Sequence, residues 1–96
     1  MTIKVGRSSA FKTDFKKLDK RRQQKTDDFL TSFTNETPPP FHYVNYHGEV
    51  IRDTHVLPDL VLLYTLDDET IDENGKPETV RTVGLRRIAN HAELFR

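Results

Sequence analysis

Three consecutive prolines, Pro38 to Pro40, divide this chain of 96 residues into two parts with different hydrophobic periodicity. Proline fixes φ and lacks a backbone N–H group, so it ends helical structure. Before the prolines, apolar residues recur at helical spacing, and from Phe41 onward they follow the pattern of strands. This order of helices followed by strands predicts an α+β fold.

The first part predicts a short strand over Thr2 to Val5 followed by two helices. Ser8 or Ser9 is a suitable N-cap for the first helix. Its apolar stripe consists of Phe11, Phe15 and Leu18, and we expect this stripe to pack inward. The two helices are predicted over roughly 8–20 and 22–34.

The second part predicts antiparallel strands joined as a meander. Three candidates are Val50 to Thr54, Leu60 to Leu66 and Thr79 to Arg87. Asn74-Gly75 marks the turn between the last two strands. We therefore expect one domain over 1–96, in which a short N-terminal strand and a two-helix hairpin accompany a twisted antiparallel sheet.

Composition excludes several classes of site. The chain has no cysteine, so it forms no disulfide and no thiolate site, and its four histidines lack the short paired spacing of zinc ligands. We predict no metal and no cofactor. No hydrophobic targeting run or membrane-spanning stretch is present, which favours a cytoplasmic protein that does not enter a membrane.

Charge is distributed unevenly although the formal net charge is zero. Residues 67–78 contain six acids and one base, whereas residues 1–25 contain nine lysines and arginines against two aspartates. A basic body with an acidic protrusion is compatible with a polyanionic partner, because phosphates respond to local potential. Ordinary solvated helix faces are the competing interpretation.

The segment from Arg52 to Tyr64 places His55 and Asp59 at a corner between two strands. Pro58 pushes Leu57 into an extended conformation, so His55 and Asp59 flank a turn and are not a helical pair. The apolar run that follows predicts a buried strand, in which Tyr64 is a packing residue. A rigid corner with histidine and aspartate suits proton transfer.

The chain from His42 to Phe95 resembles the YafQ branch of the RelE/ParE toxin superfamily. Three motifs carry the resemblance: Arg52-Asp53-x-His55-Val56-x-Pro58-Asp59, Leu62-x-Tyr64, and Arg87-x-x-x-His91-Ala92-x-Leu94-Phe95. Toxins of this branch are ribosome-associated bacterial endoribonucleases that a cognate antitoxin holds inactive. The resemblance implies that the catalytic positions here are His42, His55, Asp59, Arg87, His91 and Phe95. A small gap would align His47 in place of His42.

The implied reaction is metal-free cleavage of mRNA by attack of its own 2′-hydroxyl. It requires a base, a cation for the phosphate oxygens and an acid for the departing 5′-oxygen. We assign His91 as acid and Arg87 as charge stabiliser, assisted by Arg52 or Arg86. The base is His55 or His42, and Asp59 either orients an imidazole or takes the proton itself.

Substrate contacts are predicted at two places. Phe95, together with Tyr43 or Tyr46, would stack on an unpaired base. The lysines of the helical part would hold backbone phosphates, and we name Lys16, Lys17 and Lys20.

The resemblance also implies partners: mRNA on the ribosome, and a cognate antitoxin that binds a monomeric free toxin in a hetero-oligomeric complex. Two non-catalytic alternatives remain on the same scaffold. One is a binding protein like the superfamily members that inhibit DNA gyrase, and the other is a remnant that only binds an antitoxin.

Overall fold

The computed structural model of the chain describes residues 1–34 and 39–95. In chain order the elements are β1 (Thr2–Arg7), α1 (Ser9–Lys17), α2 (Lys20–Leu30), a 3₁₀ turn (Thr31–Thr34), β2 (His42–Tyr46), β3 (Glu49–Leu57), β4 (Leu60–Glu73), β5 (Lys76–Ala89) and α3 (His91–Leu94). The predicted α+β fold is confirmed. Pro38, the first of the three prolines, lies outside the described residues.

The strands form one five-stranded sheet in the order β1-β5-β4-β3-β2. From β2 to β5 neighbouring strands are antiparallel, as the meander predicts. The difference from the prediction is β1, which pairs parallel with β5 along one edge. This pairing is possible because both helices and three strands lie between β1 and β5, and a parallel pair needs a long connection.

The acidic segment forms the outer half of the β4–β5 hairpin, and both strands extend well beyond the predicted ranges. Each strand has 14 residues, or ~46 Å of extended chain, which accounts for the molecule's longest dimension of 47 Å. Asn74 and Gly75 form the predicted turn with φ of 55° and 74°. A second turn of this kind, at His47 and Gly48, joins β2 to β3.

Both helices are shorter than predicted: α2 ends at Leu30, where the 3₁₀ turn follows, and α1 ends before Asp19. Its carboxylate accepts a hydrogen bond of 2.8 Å from the backbone N–H of Arg22, so Asp19 is the N-cap of α2. The predicted N-cap of α1 is confirmed at Ser8, whose hydroxyl accepts from Phe11 N and donates to the carbonyl of Arg86. Ser8 therefore fixes the start of α1 against β5.

The main core lies between the helices and one face of the sheet. Phe11 is fully buried and Phe15 and Leu18 are partly buried, as the apolar stripe predicts. Burial of a side chain such as Phe11 contributes about 1.5–3 kcal/mol to stability. Tyr64 is also fully buried in this core, as expected. The helices thereby cover one face of the sheet and leave the other face to the C-terminal residues.

A smaller core lies on the opposite face of the sheet. Its buried members are Ile51, Val61, Leu63, Ala89 and Leu94, with Val44, Tyr46 and Phe95 packed against them. Because Leu94 and Phe95 belong to this cluster, α3 must fold back over the sheet after β5 ends. None of the described helices is long and apolar enough to cross a membrane.

Candidate active site

Two rows of side chains cross the sheet face that carries α3. In the first row, successive strand partners are His42, Asp53, Leu63 and Arg87. In the second row they are His55, Val61 and Ala89. Side chains alternate along each strand, so members of both rows share one face. The fold thus brings His42, His55 and Arg87, three of the predicted catalytic residues, to the same face.

Arg87 is held by two side chains from distant parts of the chain. Its Nε and Nη2 donate to the two carboxylate oxygens of Asp14 on α1, at 2.5 and 3.1 Å. Its Nη1 donates to the Tyr46 hydroxyl at 2.7 Å. Hydrogen bonding to Asp14 raises the pKa of Arg87 above its usual range. The guanidinium is therefore charged and oriented, and its side chain is still 27% exposed.

His91 and Phe95 lie at the C-terminal end of the face and connect to Arg87 through Tyr46. Asn90 is the N-cap of α3, and it exchanges hydrogen bonds of 2.8 Å with the backbone and side chain of Glu93. This capping box fixes where the helix begins and hence where His91 lies. The rings of His91 and Phe95 are 4.7 Å apart, and the Tyr46 ring is 6.5 Å from Phe95. Arg87, Tyr46, Phe95 and His91 form one connected group.

His42 faces the buried carboxylate of Asp53. The distance from His42 Nδ1 to Asp53 Oδ1 is 3.7 Å, and this oxygen has no hydrogen bond within the described part of the chain. The Asp53 side chain is 11% exposed, whereas His42 is 85% exposed. The buried carboxylate therefore lies beside the exposed imidazole without a hydrogen bond to it.

His47, the alternative to His42, lies at the tip of the β2–β3 turn with a φ of 51°. Its ring contacts Tyr46 at 4.3 Å.

His55 is exposed on β3, and together with His42 it lines a groove beside Phe29, Phe41 and the described prolines. Its partner Val61 belongs to the smaller core, so the backbone beneath His55 is fixed.

Asp59 occupies a different groove from the histidines. It lies in the turn between β3 and β4, where Arg22 Nη2 donates to its carboxylate at 2.6 Å. Arg22 also bonds to Asp19, and this hydrogen-bonded cation lowers the pKa of Asp59. Among the described residues Asp59 contacts no imidazole. A carboxylate whose pKa is lowered is a weaker base, so this geometry favours a histidine for the proton.

Two of the predicted substrate arginines have other contacts. Arg52 pairs with Tyr64 across the strands, which places its side chain on the helix-covered face, away from His55. There its guanidinium lies 4.0 Å from the centroid of the Phe41 ring. Arg86 donates to Glu49 at 2.7 Å. Among the described residues, neither arginine shares a hydrogen-bond partner with Arg87.

The three predicted lysines are exposed near the junction of α1 and α2. Lys17 lines the same groove as Asp59, together with Asp14 and Asn90. Within the described part of the chain, Lys16, Lys17 and Lys20 form no ion pair. Their ammonium groups are therefore available to a polyanion.

Sequence reasoning missed the residues whose side chains bond to the predicted site residues. Asp14 is the clearest case, because it lies in the apolar stripe of α1, three residues after Phe11 and four before Leu18. A carboxylate at an inward position is a signal that it has a buried partner. Arg22 gave no such signal, since it belongs to a run of basic residues.

Comparison with known proteins identifies the fold. The sequence matches no protein-family model and no curated protein significantly. The crystal structure of Escherichia coli YafQ is similar, with a TM-score of 0.72 and 26% identity, covering 99% of this chain and 100% of that chain. YafQ in the E. coli DinJ-YafQ complex gives a TM-score of 0.73 and 26% identity with the same coverage.

A histidine-to-glutamine mutant of E. coli YafQ, 24% identical, shares the fold with a TM-score of 0.73. The similarity extends over the N-terminal strand and helices, which the sequence motifs did not cover. This likeness over the whole chain, together with the motifs on the sheet face and α3, supports a YafQ-like toxin.

Proposed function

We propose that this protein is an endoribonuclease toxin of a type II toxin-antitoxin system, which cuts mRNA on the ribosome without a metal. The observation that carries the proposal is the shared sheet face: His42, His55 and Arg87 lie on it, and α3 brings His91 and Phe95 to its end. The likeness to YafQ over the whole chain supports the same reading.

The reaction breaks one bond and forms one bond at the phosphorus. The 2′-oxygen attacks as it loses its proton, and the bond to the 5′-oxygen breaks, which leaves a 2′,3′-cyclic phosphate and a 5′-hydroxyl. Arg87 stabilises the charge that develops on the phosphate oxygens. His91 protonates the departing 5′-oxygen, since it is exposed beside Arg87's group and free to meet the substrate.

His42 and His55 are the candidates for the base. His42 is exposed, and the buried Asp53 carboxylate lies 3.7 Å from its Nδ1. His55 lies in the same row as Ala89, which is two residues before His91, so it is nearer in register to the acid. Asp59 is bonded to Arg22 in the adjacent groove, so we give it no direct part in the proton transfer.

An antitoxin is the proposed protein partner. E. coli YafQ was crystallised in a complex with DinJ, and this chain is similar to YafQ in that complex. The exposed lysines at the junction of the helices and the acidic hairpin give the surface two regions of opposite charge. A cognate antitoxin that covers the face with His91 and Arg87 would block substrate entry and stabilise the toxin by mass action.

The test is controlled expression in bacteria followed by mapping of transcript ends. Wild-type protein should arrest growth and produce cleaved mRNA with 2′,3′-cyclic phosphate ends, whereas His91→Ala should do neither. Asp27→Asn, at an exposed position on α2 outside the proposed site, is the matched control and should arrest growth and cut mRNA as the wild type does.

Single alanine variants of His42 and His55 then separate the two candidate bases. The variant that lacks the base should lose about 10²–10⁴-fold in the cleavage rate. Growth arrest with intact transcripts would replace the nuclease by a non-catalytic toxin. If the wild-type protein neither arrests growth nor cuts mRNA, both readings are overturned.

A further inference from the structure

Asp14 is a buried carboxylate that links helix α1 to the end of β5. It is 7% exposed and accepts three hydrogen bonds, two from Arg87 and one of 3.1 Å from the backbone N–H of Ile88. The β5 residues after Leu85 extend beyond the pairing with β1, so Ile88 lies on an open strand edge. Asp14 therefore accepts a hydrogen bond from the open edge of β5 and binds the Arg87 guanidinium at the same time.

The bonds to Asp14 and Tyr46 leave some N–H groups of the Arg87 guanidinium available to a substrate. Of the five N–H groups of arginine, three donate to Asp14 and Tyr46, which leaves one on Nη1 and one on Nη2. Two N–H groups on the terminal nitrogens are the number needed to hold two phosphate oxygens. Asp14 reaches Arg87 from α1 and Tyr46 reaches it from β2, so the ring of partners spans three separate elements.

We propose that Asp14 and Tyr46 are positioning residues that fix the Arg87 guanidinium with its remaining N–H groups toward the scissile phosphate of RNA. This inference rests on the proposed nuclease function. A long arginine side chain is flexible when free, and a bidentate carboxylate with a third bond removes that freedom before the substrate arrives. Orientation is gained in the transition state, where the charge on phosphate is greatest.

The same carboxylate weakens simple attraction to RNA. Its negative charge lies within hydrogen-bonding distance of the cation, so it offsets much of the field that a phosphate would feel. Asp14 therefore has opposite effects on binding and on catalysis. A residue that only supports the fold would not separate these two quantities in this way.

Asp14→Asn tests the inference because asparagine keeps the shape and an acceptor oxygen but removes the charge. We expect kcat for cleavage of ribosome-bound mRNA to fall roughly tenfold or more, because the guanidinium loses its fixed orientation. We expect KM to fall as well, and binding of a non-cleavable 2′-deoxy-substituted RNA to become tighter. The logarithmic salt dependence of that binding should steepen by up to about 0.7 for a single strand.

Tyr46→Phe is the second variant, since it removes only the hydroxyl and leaves the ring that packs with Phe95. We expect kcat to fall roughly threefold to tenfold with KM unchanged. Asp27→Asn, at an exposed position on α2, is the control for loss of one acidic charge. It should leave kcat, KM and the salt slope as in the wild type.

The outcomes separate this inference from the proposed function. If the wild type cuts mRNA but Asp14→Asn and Tyr46→Phe retain wild-type kcat, the positioning role is refuted and the nuclease stands. A fall in kcat together with weaker RNA binding and a melting temperature lowered by the same substitution would also refute it, in favour of a structural role.

If the wild type cuts no mRNA, the proposed function fails. The RNA-binding measurement then tests whether Asp14 affects a phosphate bound at Arg87. An unchanged RNA affinity and salt slope in Asp14→Asn would overturn that link.

Discussion

Asp68 on β4 is the acidic residue of the hairpin for which we expect the largest effect on stability. Its two carboxylate oxygens accept hydrogen bonds from Nε and Nη2 of Arg81, at 2.8 and 3.0 Å. Arg81 is only 2% exposed, and its Nη1 also donates to the carbonyl of Phe33 at 2.9 Å. The substitution Asp68→Ala would remove the two hydrogen bonds that this carboxylate accepts from the buried guanidinium.

The expected loss follows from these contacts. A hydrogen bond to a charged group contributes about 1.5–3 kcal/mol when it is buried. Breaking a fully buried ion pair costs roughly 3–5 kcal/mol. Asp68 is itself 41% exposed, so water screens its side of the pair and the loss should be smaller than that of a fully buried pair. We expect Asp68→Ala to lower the free energy of unfolding by about 2 kcal/mol.

Urea unfolding followed by far-ultraviolet circular dichroism measures this loss. For an m-value of about 1–2 kcal/mol/M, the midpoint should fall by about 1–2 M. Asp67→Ala is the matched control, since Asp67 is an exposed neighbour in the same strand, and it should change stability by less than about 0.5 kcal/mol. Equal midpoints for the two variants would refute the reasoning.

The pH dependence of this contribution has a defined sign. The hydrogen bond from Arg81 lowers the pKa of Asp68. A carboxyl group whose pKa is lower in the folded state stabilises the fold above its unfolded pKa, and this stabilisation is lost as pH falls through the folded value. The difference between Asp68→Ala and the wild type should therefore shrink in strong acid.

Two further predictions concern groups whose pKa differs from its usual value. Arg22 lowers the pKa of Asp59 through its direct hydrogen bond, so Arg22→Gln should raise this pKa. NMR titration of the Asp59 carboxyl carbon measures the change. Arg21→Gln, which keeps the direct bond, is the control. An unchanged Asp59 titration would contradict the assignment. Burial raises the pKa of Tyr64 above its ordinary value near 10, so stability present below that pH should be lost as pH rises through the folded pKa. Tyr64→Phe should remove this loss of stability at alkaline pH. Tyr43→Phe, which replaces an exposed tyrosine, should retain it. Urea unfolding between about pH 9 and 11 measures both variants.

Much of the secondary structure could be predicted because its signals are local. Ser8 as a helix N-cap and Asn74-Gly75 as a hairpin turn depend on neighbouring backbone geometry alone. Asp19 is also a local N-cap signal, which the prediction overlooked by continuing the first helix to residue 20. The second turn was missed because His47 has to adopt a positive φ there, which is uncommon for histidine.

The length of β4 and β5 was underestimated for a different reason. The acidic residues of the hairpin suggested a protruding segment, because like charges favour solvent over packing. In the structure each residue from Asp67 to Glu73 has a partner on β5, and backbone pairing does not depend on which side chains face water.

The sequence alone determined the order of elements, the apolar stripes and the chemical types of the residues proposed for the site. These follow from periodicity, turn chemistry and short motifs, all of which act within a few residues along the chain. The resemblance to YafQ-like toxins rests on the same motifs, and the structural comparisons extend it to the whole chain.

Only the tertiary structure decided which of these residues meet. The pairing of strands placed His42, His55 and Arg87 on one face and Arg52 on the other. The packing of the helices against the sheet brings Arg22 to Asp59 and Asp14 to Arg87, and the second of these contacts spans 73 residues of chain. Such contacts arise from the packing of distant elements, so no local pattern around either residue specifies its partner.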